Sequence, residues 1–319
     1  MRKIGSNKSG PSLICFGKDV FELLKKTYFE WIEGSAPKMA AAISFYTVFS
    51  MLPLFMLAMA ATGFYFGPDD SRRELFSRLA GVIGESGASS VESLVTVAAQ
   101  SQSSGTLAIL IAGFTLLIGA SGLFIEIQSA LNSVWNVKRV ESWGVVAFLK
   151  TRFLSFAMVL GVGFLLLASL IASVAIGAFG NLLGGLFTGQ ELLLNIINFL
   201  LSLGLVMLLF TLIYKILPDI VVGWRAAAAG GFIAAVFFNV GKFFLGFYLS
   251  HSRIATLYGV PGSLTVVLMW VYYSSQIMFF GAEATGVYSA MFGSPLQPDK
   301  GSRFVTEIKT KSFHAPREI

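Results

Sequence analysis

Apolar residues dominate all sides of the helical wheel over long distances of this chain, instead of alternating or recurring on one helical face. Six such stretches lie near residues 39–66, 106–130, 153–179, 192–217, 226–249 and 263–292. A helix rises about 1.5 Å per residue, so about 20 apolar residues cross a hydrocarbon core about 30 Å thick. Each stretch reaches that length, and the longer ones can tilt or run past the interface. Buried helices of a soluble domain would not come six in a row at this apolarity. The pattern predicts an all-α integral membrane protein with six transmembrane helices.

Between these stretches the pattern becomes periodic. Phe16, Val20, Leu23, Leu24, Tyr28, Trp31 and Ile32 recur at helical spacing, with Lys18, Asp19, Glu22, Lys25, Lys26 and Glu30 in the other positions. Lysines on one face and aromatics on the other predict an amphipathic helix lying in the membrane interface; the alternative is a helix packed on the bundle. Gly34, Ser35 and Pro37 then end it and turn the chain into the first span. After that span, Leu75, Phe76, Leu79, Val82 and Ile83 are spaced helically, as are Val91, Leu94, Val95 and Ala98. This loop, 67–105, is expected to form two short helices over the outer face, capping a cavity or covering lipid-facing edges. The organisation is thus an arm with an interfacial helix (1–38), a transmembrane domain (39–292) and a tail (293–319). Gly293, Pro295, Pro298 and Gly301 with scattered charges predict disorder in the tail.

Charge orients the bundle. Eighteen of the 23 Lys and Arg residues fall in the N-terminal arm, the second and fourth connections and the tail. The other loops hold only Arg72, Arg73, Arg78 and Arg253. Basic residues are retained on the cytoplasmic side during insertion, so both termini are expected in the cytoplasm. Only 13% of residues are charged, with a formal net charge of +6 and a mean hydropathy of +0.75. The excess positive charge thus suits anionic lipid at the inner face, and nucleic acid is not expected as a partner. Membrane lipids are the expected partners. A single cysteine, Cys15, excludes an internal disulfide. The first 38 residues contain no apolar core, so the first span is expected to act as its own insertion signal.

Charged groups inside membrane helices are costly and are read first as functional sites. Glu126, Lys242 and Glu283 are the three here. Glu126 and Glu283 both fall in the inner halves of their spans, where Arg152, Lys215 and Arg225 at the inner rim are candidate partners. These pairs either bind substrate or carry a proton, or they staple helices together. Lys242 lies in the outer half, where its chain can snorkel to the headgroups. Gln128, Asn132, Asn239 and Gln276 can hydrogen-bond between helices. Small residues from Ala226 to Gly231, and at Ala120, Ser121 and Gly122, allow close helix approach within the bundle or in a homo-oligomer. Pro53 is expected to kink the first span. Enzyme signatures are missing: two histidines give no metal cluster, no P-loop spacing occurs, and no serine stands in a nucleophile elbow. No catalytic activity, cofactor or metal is expected.

Several of these residues together resemble the YihY/BrkB family of bacterial inner-membrane proteins. The first span reads Ala41-Ala42-Ile43-Ser44-Phe45-Tyr46-Thr47-Val48-Phe49-Ser50-Met51-Leu52-Pro53, similar to that family's aromatic-rich stretch ending in Ser-x-x-Pro. Gln128, Leu131, Asn132 and Trp135 match its Gln-x-x-Leu-Asn-x-x-Trp pattern. Tyr214 to Pro218 with Trp224, and Tyr258-Gly259, Gly262-Ser263, Trp270, Tyr272 and Gly281-Ala282-Glu283, match later segments. Pro261 and Thr285 depart from the usual residues. The resemblance implies a multi-pass protein of the inner membrane, thought of as a transporter or an envelope factor linked to serum resistance. The reading for this chain is a transporter or exporter without its own ATPase, for a lipidic or amphipathic substrate; the alternative is a non-transporting scaffold for envelope integrity. The family's old ribonuclease BN label finds no support in these residues.

Overall fold

A computed structural model describes residues 13–66, 72–73, 75–77, 79–80, 84–100, 122–139, 190–251, 254–293, 295–299 and 301–305. Helix α1 (Leu13–Glu33) is followed after two residues by α2 (Ala36–Phe66). The break is local chemistry. The Gly34 amide still donates to the Glu30 carbonyl at 2.9 Å, and the amides of Lys38 and Met39 then both turn to the Ser35 carbonyl. Pro37 falls in the first turn of α2, where an amide hydrogen has no partner to lose. α2 takes in the whole first predicted span, Pro53 included.

Helix α3 (Glu85–Gln100) lies in the loop predicted to be helical, and residues 72–73, 75–77 and 79–80 are helical as well. The predicted stripe faces inward: Val91, Leu94 and Val95 are buried with Phe76 against Val48 of the first span and Val267 of the last. The two segments are tied by Arg72, whose guanidinium reaches Glu92 at 2.8 Å and Thr96 at 2.9 Å. This module is therefore packed into the side of the helices by an apolar seam.

Residues 122–134 form α4, the inner end of the second predicted span; the rest of that span and all of 153–179 lie outside the described residues. Strand β1 (Val137–Arg139) follows. Asn136 makes the corner with φ 53°, a left-handed conformation that asparagine tolerates better than most residues. Helices α5 (Gln190–Ile216), α6 (Trp224–His251) and α7 (Ile254–Phe292) complete the bundle, with strand β2 (Ile220–Val221) between the first two. Among the described residues, three helical segments are long and apolar enough to cross a membrane: Ile196–Ile216, Trp224–Tyr248 and Pro261–Phe292. α7 starts nine residues earlier than the pattern placed its span and carries Pro261 inside it. The Thr265 hydroxyl, one turn further on, donates to the Pro261 carbonyl at 2.9 Å.

The tail corrects one expectation. Residues predicted to be disordered form β3 (Gln297–Pro298) and β4 (Ser302–Phe304). β3 pairs antiparallel with β2, Ile220 opposite Pro298; β4 pairs antiparallel with β1, Val137 opposite Phe304. Composition favoured disorder because prolines and glycines dominate, but prolines are tolerated on short edge strands. Four short strands thus collect at the end of the bundle where α4, α5 and α7 finish and α6 begins.

Candidate functional site

α7 has two working faces, and they are built differently. The first meets α5 and α6 through small residues. A Cβ on Gly230 would run into the Thr285 side chain and the Gly281 carbonyl, and one on Gly281 into the Tyr214 hydroxyl. Gly231 is as close to Thr211, and Gly241 to the Tyr273 ring. The small residues near the start of α6 therefore bring helices of one bundle together, a use the sequence left open beside a homo-oligomer. Several side-chain donors reach helix carbonyls at this contact. Tyr214 donates its hydroxyl to the Met278 carbonyl at 2.8 Å, Trp135 its indole N–H to Ala282 at 3.1 Å, and Thr285 its hydroxyl to Gly281 at 2.9 Å. Tyr214, Ala282 and Thr285 are fully buried.

At the strand-bearing end the polar contacts converge on Asp219. Asn132 of α4 donates from Nδ2 to its carboxylate at 2.9 Å, and the Asn132 Oδ1 accepts from the Asp219 backbone amide at 2.8 Å. Gln128 donates to the other carboxylate oxygen at 3.3 Å. The Asp219 carbonyl accepts from the Asp299 amide at 3.1 Å, drawing in the tail. Asp219 was not among the residues singled out from sequence. Its signal was present: it is the one acid between Lys215 and Arg225, directly after the Pro218 that stops α5.

The other predicted site residues disperse. Lys215 donates to the Val222 carbonyl and lies 5.5 Å from the centre of the Trp224 ring, a cation–π contact. Arg225 is exposed, Glu126 and Lys242 are half-buried, and Arg152 lies outside the described residues. Glu126 sits one turn from Gly122, whose backbone lies against the Tyr46 ring of α2. Among the described residues neither Glu126 nor Glu283 forms an ion pair with Lys215 or Arg225.

Glu283 belongs to the second face of α7, the one turned to α1. A methyl group placed on Gly34 would come 3.6 Å from a Glu283 carboxylate oxygen. One turn away Trp31 meets the Phe280 ring edge-on, centroids 6.2 Å apart. The Trp31 indole nitrogen is buried without a hydrogen-bond partner among the described residues, as is the Gln276 side-chain oxygen of α7. Gln276 precedes Glu283 by seven residues, two helical turns, and so lies on the same face. No group of three or more His, Cys, Asp or Glu suited to a metal occurs among the described residues.

Comparison with known proteins agrees with a membrane bundle. A UPF0761 membrane protein from Pseudomonas paraeruginosa is 27% identical over 271 residues, 83% of this chain and 62% of the relative. One from Verminephrobacter eiseniae is 30% identical over 256 residues, 77% of this chain and 57% of the relative. One from Tolumonas auensis is 33% identical over 177 residues, 53% of this chain and 54% of the relative. The chain thus spans about three fifths of the length of the first curated relatives it matches. No solved structure matches it. The family model described as virulence factor BrkB matches residues 28–303, from α1 through β4, and the chain belongs to that family of membrane proteins.

Proposed function

We propose that the chain is a transporter without its own ATPase, moving a lipidic or amphipathic molecule across the bacterial inner membrane, with both termini in the cytoplasm. The observation that carries this reading is the placement of Glu283. A carboxylate stands inside an apolar span, turned to the junction of α1 and α2. Holding an ionised group at the centre of a span costs about 2.5–3.5 kcal/mol even on insertion scales, and a structural role is more simply served by the glycine seam on the opposite face. In this reading Glu283 holds a proton or a cationic group of the substrate. Glu126, Gln128 and Asn132 on α4, with Lys215 and Arg225, flank the inner approach in this reading; Arg152, also expected there from the sequence, lies outside the described residues.

A second reading, a non-transporting scaffold for the envelope, draws on the Asp219 node and its paired strands, which tie α4, α5 and the tail together. One experiment separates the two. The purified chain is reconstituted in vesicles with a fluorescent NBD-labelled phospholipid, and outer-leaflet probe is bleached with dithionite. Transport predicts that wild type makes the inner-leaflet probe accessible and that Glu283→Gln, at equal folded amount, does not. Bleaching no deeper than in protein-free vesicles, or unchanged bleaching by Glu283→Gln, would count against the reading and favour the scaffold.

A further inference from the structure

α1 presents a third surface that neither reading uses. Its inward face is taken up: Leu23 and Thr27 are buried, and Trp31 lies on Phe280. Lys18, Phe21, Glu22, Lys25, Lys26 and Phe29 follow one another at three- and four-residue steps on the opposite side, and they line a single groove. Phe21 is 70% exposed and Phe29 53%, a large apolar area to leave facing water on a helix joined by two residues to a membrane span. The charge in this groove is lopsided. Lys26 holds Glu22 at 2.7 Å, and that hydrogen bond and charge keep the Glu22 carboxyl below its ordinary range. The one acid is therefore neutralised within the stripe, while Lys18 and Lys25 add two further positive charges.

We propose that this groove is a binding site for the headgroup of an anionic phospholipid. The two lysines meet the phosphate, and Phe21 and Phe29, eight residues apart on one face, enter the acyl-chain boundary on either side. The occupant is a lipid because the lining combines exposed aromatic rings with an excess of lysines, the combination that suits a surface with acyl chains on one side and phosphates on the other. An acidic protein segment would match the lysines but would leave both phenylalanines in water. The inference is independent of transport; it needs only that the chain resides in a membrane.

The test uses the full-length protein reconstituted in phosphatidylcholine vesicles with trace spin-labelled phosphatidylglycerol or spin-labelled phosphatidylcholine. Electron paramagnetic resonance then gives the motionally restricted fraction of each lipid. Wild type should restrict phosphatidylglycerol preferentially, and each of Lys18→Gln and Lys25→Gln should lower that preference about fivefold. Phe21→Ala with Phe29→Ala should lower it with all lysines in place. Lys138→Gln, an exposed lysine on β1, should leave it nearly unchanged. Equal restriction of the two lipids by wild type would overturn the proposal. So would a preference that survives the double lysine variant, or one that falls as far with Lys138→Gln, which would mark a diffuse field in place of a site. Tryptophan emission of each variant, matched to wild type, verifies that these surface changes leave the fold intact.

Discussion

The two faces of α7 solve the same problem in opposite ways. Toward α5 and α6 the helix carries Gly281 and Ala282, the backbones approach closely, and two side-chain hydroxyls and an indole donate to helix carbonyls. Toward α1 it carries Gln276, Phe280 and Glu283, meets an aromatic ring edge-on, and leaves an indole nitrogen and an amide oxygen without partners among the described residues. Close packing has one arrangement and resists change, since interiors at this density accommodate even one added methyl poorly. The looser, unsatisfied face is where a protein can admit a ligand or a proton without dismantling its core. The difference separates a face whose side-chain donors reach helix carbonyls, toward α5 and α6, from one that carries a carboxylate and two unpartnered polar atoms, toward α1.

The largest effect expected from breaking this contrast is on the tight face. Gly230→Val places branched carbons on Thr285 and the Gly281 backbone, which cannot yield as the tip of a long side chain would. Overpacking of this kind costs about 3 kcal/mol or more, and the variant should show a large drop in thermal midpoint in detergent. Retention of the wild-type midpoint would mean that the helices do not approach so closely.

Next in size is the node that closes the same side. Asn132→Ala removes both its bonds to Asp219 and leaves a partly buried carboxylate and amide short of partners. Bonds to charged groups are worth about 1.5–3 kcal/mol each in a protein interior, so a loss of about 2 kcal/mol is expected. Because Asp219 also holds Asp299, limited proteolysis should cut the tail faster in this variant; unchanged cleavage would show that the strands hold the tail unaided.

The smallest effect comes from comparing two tryptophans, one on each face. Trp135→Phe deletes a buried bond to Ala282 and should cost about 1 kcal/mol more than Trp31→Phe, whose indole N–H has no partner to lose among the described residues. Equal losses, measured as denaturation midpoints of the two variants, would remove the distinction between a satisfied face and an unsatisfied one.

Much of the fold was legible because apolar length is a one-dimensional signal. The helices at 36–66, 190–216, 224–251 and 254–292 appear where uninterrupted apolar residues predicted them, and α1 and α3 where the helical period did. The errors have physical causes. The start of α7 was placed too late because Gly259, Pro261 and Gly262 read as a turn, whereas a membrane helix can run through a proline when its surroundings and small local adjustments satisfy the freed backbone. The tail was read as disordered because its composition cannot pair with itself, and its strands exist only through β1 and β2, each more than seventy residues away.

The candidate site was less legible than the fold. Asn132 and Gln128 were marked as polar and Glu283 as charged, but which groups each would meet was not readable. Among the described residues Lys215 and Arg225 form no ion pair with Glu283, which lies against Gly34 instead, while Asn132 and Gln128 meet Asp219. By itself the sequence determined that the chain enters a membrane, which segments are helical and which residues are too polar for their surroundings, since burial in hydrocarbon and backbone hydrogen bonding act on each segment separately. Only the tertiary structure decided which face of α7 is packed shut and which holds the carboxylate. That depends on helix rotation and on contacts between residues distant in sequence, set by where a glycine lets two backbones meet.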